Sequence, residues 1–210
     1  MSEQQTPRKN KTQRREDILQ ALARMLEDQK GGKITTASLA KEVGVSEAAL
    51  YRHFSSKGKI YEGLIDFIEE SLFSRINLIL KEQQATLVRC EHVLTLLLAF
   101  AEHNPGLCRL LTGDALFGES DHLRQRIARI YERLEVQIKQ ILRETEIREG
   151  KKVALPTTAA ASMLVALVEG RIVQFVRSGF KRTPTHEWPI QWRHLAQGLV
   201  VEPAQTALSQ

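Results

Sequence analysis

Cysteine is nearly absent: Cys90 and Cys108 are the only two in 210 residues. They form neither a CxxC metal pair nor the framework of a disulfide-stapled secreted domain. Both sit in apolar stretches of helical spacing, which predicts buried, inert thiols. Long hydrophobic runs are scarce too. The longest uncharged stretch, around residues 154–168, contains Pro156 and is too short to cross a bilayer as a helix. No secretory signal precedes the first helical pattern, so a cytoplasmic location is expected. Catalytic signatures are missing as well. There is no HExxH, GxSxG or GxGxxG, and Gly31-Gly32-Lys33 lacks the upstream glycine and following hydroxyl of a phosphate loop. His186-Glu187 is half of a zinc-protease motif, and the histidines at 53, 92, 103, 122, 186 and 194 keep no ligand spacing. Neither an enzyme nor a cofactor or metal site is expected.

Alternating strand patterns are also lacking, whereas almost every periodic segment repeats at helical spacing, which predicts an all-α protein. Ile18, Leu19, Leu22, Met25 and Leu26 make the inner stripe of a first helix ending near Lys30-Gly31-Gly32. A long helix is expected from the Ser55-Ser56-Lys57-Gly58 cap to about Gln84, and another from about Thr86 to His103. Asn104-Pro105-Gly106 interrupts the second, because proline and glycine both oppose continuation. A short helix near residues 107–111, a loop over 113–120, a long helix from Asp121 to about Arg148 and one from about Thr157 to Arg177 complete the body. These patterns divide the chain into an arm (1–13), a small head (14–57), a helical body (58–202) and a frayed tail (203–210).

Between residues 34 and 54 the sequence writes two short helices around a glycine turn. A hydroxyl at Thr35 or Thr36 can cap the first, whose apolar face is Leu39, Ala40 and Val43. Gly44 ends it, Val45 fills the corner, and Ser46 caps a second helix running from Glu47 to about Phe54. Ala49, Leu50 and Phe54 face inward; Ser46, Glu47, Ala48, Tyr51, Arg52 and His53 can face outward. Small residues at the start of that face, with Tyr, Arg and His behind, suit a helix entering a DNA major groove. A plain helical hairpin whose polar face meets water is the alternative.

Charge favours the first option. Residues 1–57 carry 11 Lys/Arg against 7 Asp/Glu, a surplus of 4 out of the chain's net +5. Arg8, Lys9, Lys11, Arg14 and Arg15 form an arm uninterrupted by acidic residues, suited to phosphate contact through counterion release. By contrast, the basic residues between 124 and 139 alternate with Glu132 and Glu135 and read as a solvated helix face. In the 157–177 helix Ser162, Ala166 and Gly170 recur every four residues. Such a stripe allows close helix approach, so this helix and a companion bearing Trp188 and Trp192 are either a self-association surface or intramolecular core.

With the arm, the capped helix pair, Tyr51-Arg52-His53-Phe54 and Ser56-Lys57 in place, the chain resembles the TetR family over residues 14–65. The likeness continues through the stretch 64–72, Asn104-Pro105-Gly106-Leu107, Leu111-Thr112-Gly113 and Arg148-Glu149-Gly150, and there it is similar to that family's nucleoid occlusion branch. The resemblance implies a homodimer bound to palindromic sites in double-stranded DNA, contacting it through Thr35, Thr36, Ser46, Ala48, Tyr51, Arg52, His53 and Lys57. It also implies that the DNA-bound protein engages the C-terminal tail of the division GTPase FtsZ. The implied groove is formed by Phe67, Ser71 and Arg75 with Leu96, Ala99, Phe100, His103 and Asn104. This sequence departs from the branch at His103, where arginine is usual, and at Asp114 and Gly118; loss of a permanent charge at 103 would weaken or alter the FtsZ contact. A ligand-responsive repressor and a helical interaction protein without DNA binding are the competing readings.

Overall fold

The computed structural model describes residues 11–28, 34–83 and 85–202. Arg8, Lys9, the first helix's expected end at Gly31-Gly32 and the tail from 203 lie outside them. The described chain is all-α, with ten helices and one two-residue β-ladder.

Helix α1 (Lys11–Asp28) buries Ile18, Ala21, Leu22 and Leu26. Helix α2 (Thr36–Val43) begins with a reciprocal capping box: the Ser38 N–H donates to Thr35 Oγ1 (3.1 Å), and the Thr35 N–H donates to Ser38 Oγ (3.0 Å). Gly44 stops it at φ 73°, a left-handed conformation that disfavours a Cβ. Ser46 then accepts the Ala49 N–H and launches α3 (Glu47–Tyr51). Helix α3 is shorter than expected. Arg52 and His53 form a closing turn, and Phe54, 3% exposed, rotates into the core while its N–H still reaches the Leu50 carbonyl at 3.1 Å. The chain must reverse there, because Ser56 already caps α4 (Lys57–Glu82).

Helices α5 (Thr86–His103), α6 (Pro105–Leu111) and α7 (Asp121–Arg143) follow, then α8 (Thr145–Glu149), α9 (Thr157–Arg177) and α10 (Trp188–Leu199). Pro105 opens α6 at a first-turn position that needs no N–H donor. Gly106 has a second reason to be glycine: a Cβ there would lie 2.0 Å from the Ala23 carbonyl oxygen, so α6 can press on α1 only without one. One connected core runs from Ile18 to Leu199, with α7 against α9, α4 against α5, and α1 against both α2 and α6. Cys90 and Cys108 are buried in it, and burial pushes both thiols up to about 12.

The structure corrects three expectations in the body. The long helix expected to reach Arg148 breaks at Glu144, where α5 ties it down: Arg89 holds the Glu144 carboxylate at 2.8 Å and Thr145 Oγ1 lies 3.1 Å from Thr86 Oγ1. Glu149 completes the knot by accepting the Thr86 N–H at 2.5 Å. The loop after residue 112 contains a 3₁₀ turn, Asp114–Leu116, pinned by buried Leu116. Finally, β1 (Lys152–Val153) pairs antiparallel with β2 (Val200–Val201), matching Lys152 to Val201 and Val153 to Val200. Strands of two residues carry no readable alternation.

Candidate nucleic-acid interface and partner groove

The expected DNA residues from Lys11 to His53 lie on or beside the three N-terminal helices and Lys57 opens α4, but the fold does not leave every side chain equally available. Ala48 is exposed in the first turn of α3 and Tyr51 and Arg52 at its end, and Arg52 has no ion-pair partner among the described residues. Thr35 and Ser46 place their hydroxyls in helix caps, which positions neighbouring backbone N–H groups. Thr36 Oγ1 donates to Glu47 Oε2 at 2.8 Å and ties α2 to α3.

The described part of the arm does structural work beside the turn. The Arg15 guanidinium donates to the His53 carbonyl at 2.6 Å and lies 4.1 Å from the Phe54 ring centroid. Arg14 approaches Asp17 at 4.0 Å, and Lys11 is exposed. His53 sits among these cations. Burial, then Lys11, Arg14, Arg15 and Arg52 in turn, hold its imidazole below the ordinary histidine range, and Nδ1 is buried with no partner among the described residues. Lys57 is already engaged: its ammonium lies 2.7 Å from Glu119 Oε1 and 5.4 Å from the Tyr61 ring. A phosphate contact there requires giving up Glu119, a competitor that 62 residues of sequence separation hid.

Along α4 and α5 lies a second surface. Phe67 is 49% exposed, although apolar periodicity alone places it in the core, and its ring stands 6.5 Å from Phe100 with a 40° tilt. Ser71 is half-buried and Arg75 exposed on the same face of α4. Leu96, Ala99 and Phe100 are half-buried on α5. At its end the exposed His103 donates from Nδ1 to the Ala99 carbonyl at 2.7 Å, and the Asn104 amide donates to the Phe100 carbonyl at 2.8 Å. Sequence reasoning missed Leu78, which is 54% exposed. Its position eleven residues after Phe67, continuing the i, i+4, i+8 series, was the available signal.

The proposed self-association residues separate. Ser162 and Ala166 are exposed on α9 and Gly170 is half-buried, beside exposed Met163. Trp188 and Trp192 are not on that face. Each is buried within the protomer, because α10 packs on α5 and the Trp188 indole donates to Thr95 Oγ1 at 2.8 Å. Ile190, 66% exposed, is the large apolar residue that α10 presents instead. Helix α9 is long and apolar enough to cross a membrane, yet it carries Glu169 and Arg171, and its inner face packs against α5 and α7. Among the described residues no group of three or more His, Cys, Asp or Glu side chains is placed to hold a metal.

Residues 18–64 match the family described as bacterial regulatory proteins, tetR family, and residues 83–200 match the tetracyclin repressor-like C-terminal domain of SlmA type. The chain is 60% identical to the nucleoid occlusion factor SlmA of Shewanella woodyi over 90% of its own length and 96% of that protein. It is 55% identical to SlmA of Marinomonas sp. over 91% of this chain and 97% of that one, and 55% identical to SlmA of Alteromonas mediterranea over 92% and 100%. Among solved structures, a TetR transcription regulator from Haloarcula marismortui superposes with a TM-score of 0.75 at 18% identity, covering 90% of this chain and 99% of that one. FadR from Bacillus subtilis, in complex with stearoyl-CoA, superposes with a TM-score of 0.73 at 18% identity, covering 88% and 98%. These two show the shared fold.

Proposed function

The chain belongs to the SlmA family of nucleoid occlusion factors, within the TetR-type DNA-binding proteins, and on that premise we propose how it acts. It is a homodimer that binds palindromic chromosomal sites, associates with the nucleoid and, while bound there, engages the FtsZ C-terminal tail to block septum assembly over the chromosome. The likeness running through the body, where TetR relatives ordinarily diverge, carries this reading.

Each part has support in the residues. Residues 14–57 form the DNA-binding unit, and residues 58–202 form the dimerisation and FtsZ-binding unit. Two-fold symmetry sets paired α3 helices about one duplex turn, roughly 34 Å, apart, so that each reads a half-site. Arg52 and Tyr51 meet the groove and its phosphates. The exposed side of α9 and Ile190 of α10 meet their counterparts in the second protomer. A segment with apolar and acidic residues lies along Phe67, Phe100 and Leu78, its acid facing Arg75.

Sedimentation of FtsZ polymers tests the reading. The protein together with a duplex carrying its palindromic site should lower the polymerised fraction, whereas either alone should have a smaller effect. An unchanged pellet under all three conditions overturns it.

A further inference from the structure

The turn over 112–117 and the end of α9 border an open cleft of about 520 Å³. Phe117, Val173 and Val176 supply its apolar wall, and Asp114 and Arg177 stand at its rim. Nothing in the protomer covers Phe117, which is 89% exposed. A phenylalanine ring left in water forgoes its burial energy, which points to a covering surface from outside the protomer. The cleft also continues the exposed side of α9: Val173 and Arg177 follow Gly170 at i+3 and i+7, extending the stripe of Ser162 and Ala166.

The direction of the helices says what arrives there. Helix α4 leaves the N-terminal helices at Lys57 and, at about 1.5 Å per residue, carries the chain about 39 Å away. At that far end Thr86 opens α5 and is bound to Glu149, just ahead of β1. Because β1 pairs with β2, α9 starts at the far end and runs back toward the N-terminal helices, whereas α10 runs away from them. A two-fold axis that sets both DNA-binding units on one duplex passes along this direction, and rotation about it keeps every residue at its own level. Ile190, 66% exposed, stands level with the second half of α9, since the neighbouring Gln191 accepts a bond from Arg171. Glu187 lies one turn before it, exposed. Neither Glu187 nor Arg177 has an ion-pair partner among the described residues.

Resting on the homodimer reading above, we propose that the cleft seats the partner's Ile190 among Phe117, Val173 and Val176, with the partner's Glu187 against Arg177. The same contact recurs on the other side of the axis, as an isologous interface requires. Glu119, two residues after Phe117, holds Lys57 at 2.7 Å. The seat therefore joins one protomer's α10 to the turn that positions a cation proposed to meet DNA in the other.

Cysteine cross-linking tests this, because Cys90 and Cys108 are buried and give the unmodified protein no accessible thiol. Phe117→Cys and Ile190→Cys are prepared each alone and as two chains expressed together, then oxidised with diamide and run on a non-reducing gel. The pair should give a dimer band and each variant alone little or none. Phe117→Ala, which removes an exposed ring and spares the protomer's core, should raise the dimer dissociation constant about tenfold in sedimentation. A stable dimer whose pair does not link, and which Phe117→Ala leaves unweakened, overturns the proposal and leaves the cleft open to a small ligand. Phe117→Cys linking to its own copy overturns it as well, because the two turns then meet each other. If the unmodified protein sediments as a single subunit, the homodimer reading falls with it.

Discussion

Two arginines separate the N-terminal helices from the body. Arg52 closes α3, exposed, with no partnering carboxylate among the described residues and with other cations around the neighbouring His53. Arg89 in α5 has only 3% of its side chain exposed, and Glu144 meets it at 2.8 Å. The first charge is left available for a polyanion, at the expense of mutual repulsion among neighbours. The second is matched through Nη1 inside the fold, where it ties α5 to the break between α7 and α8, although its Nε and Nη2 have no hydrogen-bond partner among the described residues. A charge count alone treats the two as equal, and burial distinguishes them.

The contrast breaks most severely if Arg89 loses its partner. Glu144→Ala leaves a buried guanidinium without its carboxylate and should destabilise the protein by about 3 kcal/mol or more, read from urea denaturation. DNA affinity per folded molecule should be unchanged. The hydrogen bond from Arg89, assisted by Gln140, holds the Glu144 carboxyl down at about 2. Its folded value is depressed, so its stabilisation is fully present at neutral pH. That stabilisation is lost as pH falls from the unfolded range, about 4.3, toward 2. The Ala variant should lack that part of the acid transition. Equal stability of wild type and variant would mean that Arg89 is not a matched charge.

Arg52→Ala reverses the outcome. Specific DNA binding should weaken by about 1 to 3 kcal/mol in a gel shift at fixed salt, with the denaturation midpoint unmoved. A loss of stability without a loss of affinity would place Arg52 with Arg89 and erase the distinction.

What sequence patterns reveal follows the same division. The caps at Thr35, Ser46 and Ser56, the Gly44 stop and the bounds of α5 and α9 depend on local spacing, and local spacing is written along the chain. The break at Glu144 depends on Arg89, 55 residues away, so a continuous helix to Arg148 was the natural expectation. Trp188 and Trp192 show the limit from the other side. Helical spacing marks them as one apolar face but cannot say whether that face meets α5 or a second protomer; the bond to Thr95 decides it. Phe67 is the converse, an apolar residue in register with the core that the structure leaves half in solvent.

Lys57 stands between the two classes, a cation proposed to meet DNA and paired with Glu119 of the body. Glu119→Gln should release it and tighten specific binding by about 1 kcal/mol, the upper end of the scale for an ion pair that keeps some contact with solvent. The salt dependence should steepen by about one phosphate contact. No change in either slope or affinity would show that Lys57 stays with the body when DNA arrives.

His53 gives the smallest and most discriminating effect, because one group changes stability and binding in opposite directions. Burial and the facing cations Lys11, Arg14, Arg15 and Arg52 hold it below 6.5, so it is neutral at pH 7. In the free protein the stability this provides is present above the unfolded value and is lost as pH falls through the folded one. Phosphates arriving beside the same cations cancel their repulsion and favour the imidazolium, so DNA binding takes up protons and should strengthen as pH drops below about 6.5. His53→Gln should flatten both curves. If the affinity of the unmodified protein instead falls in parallel with its stability, His53 belongs to the packing of the head and not to its DNA surface.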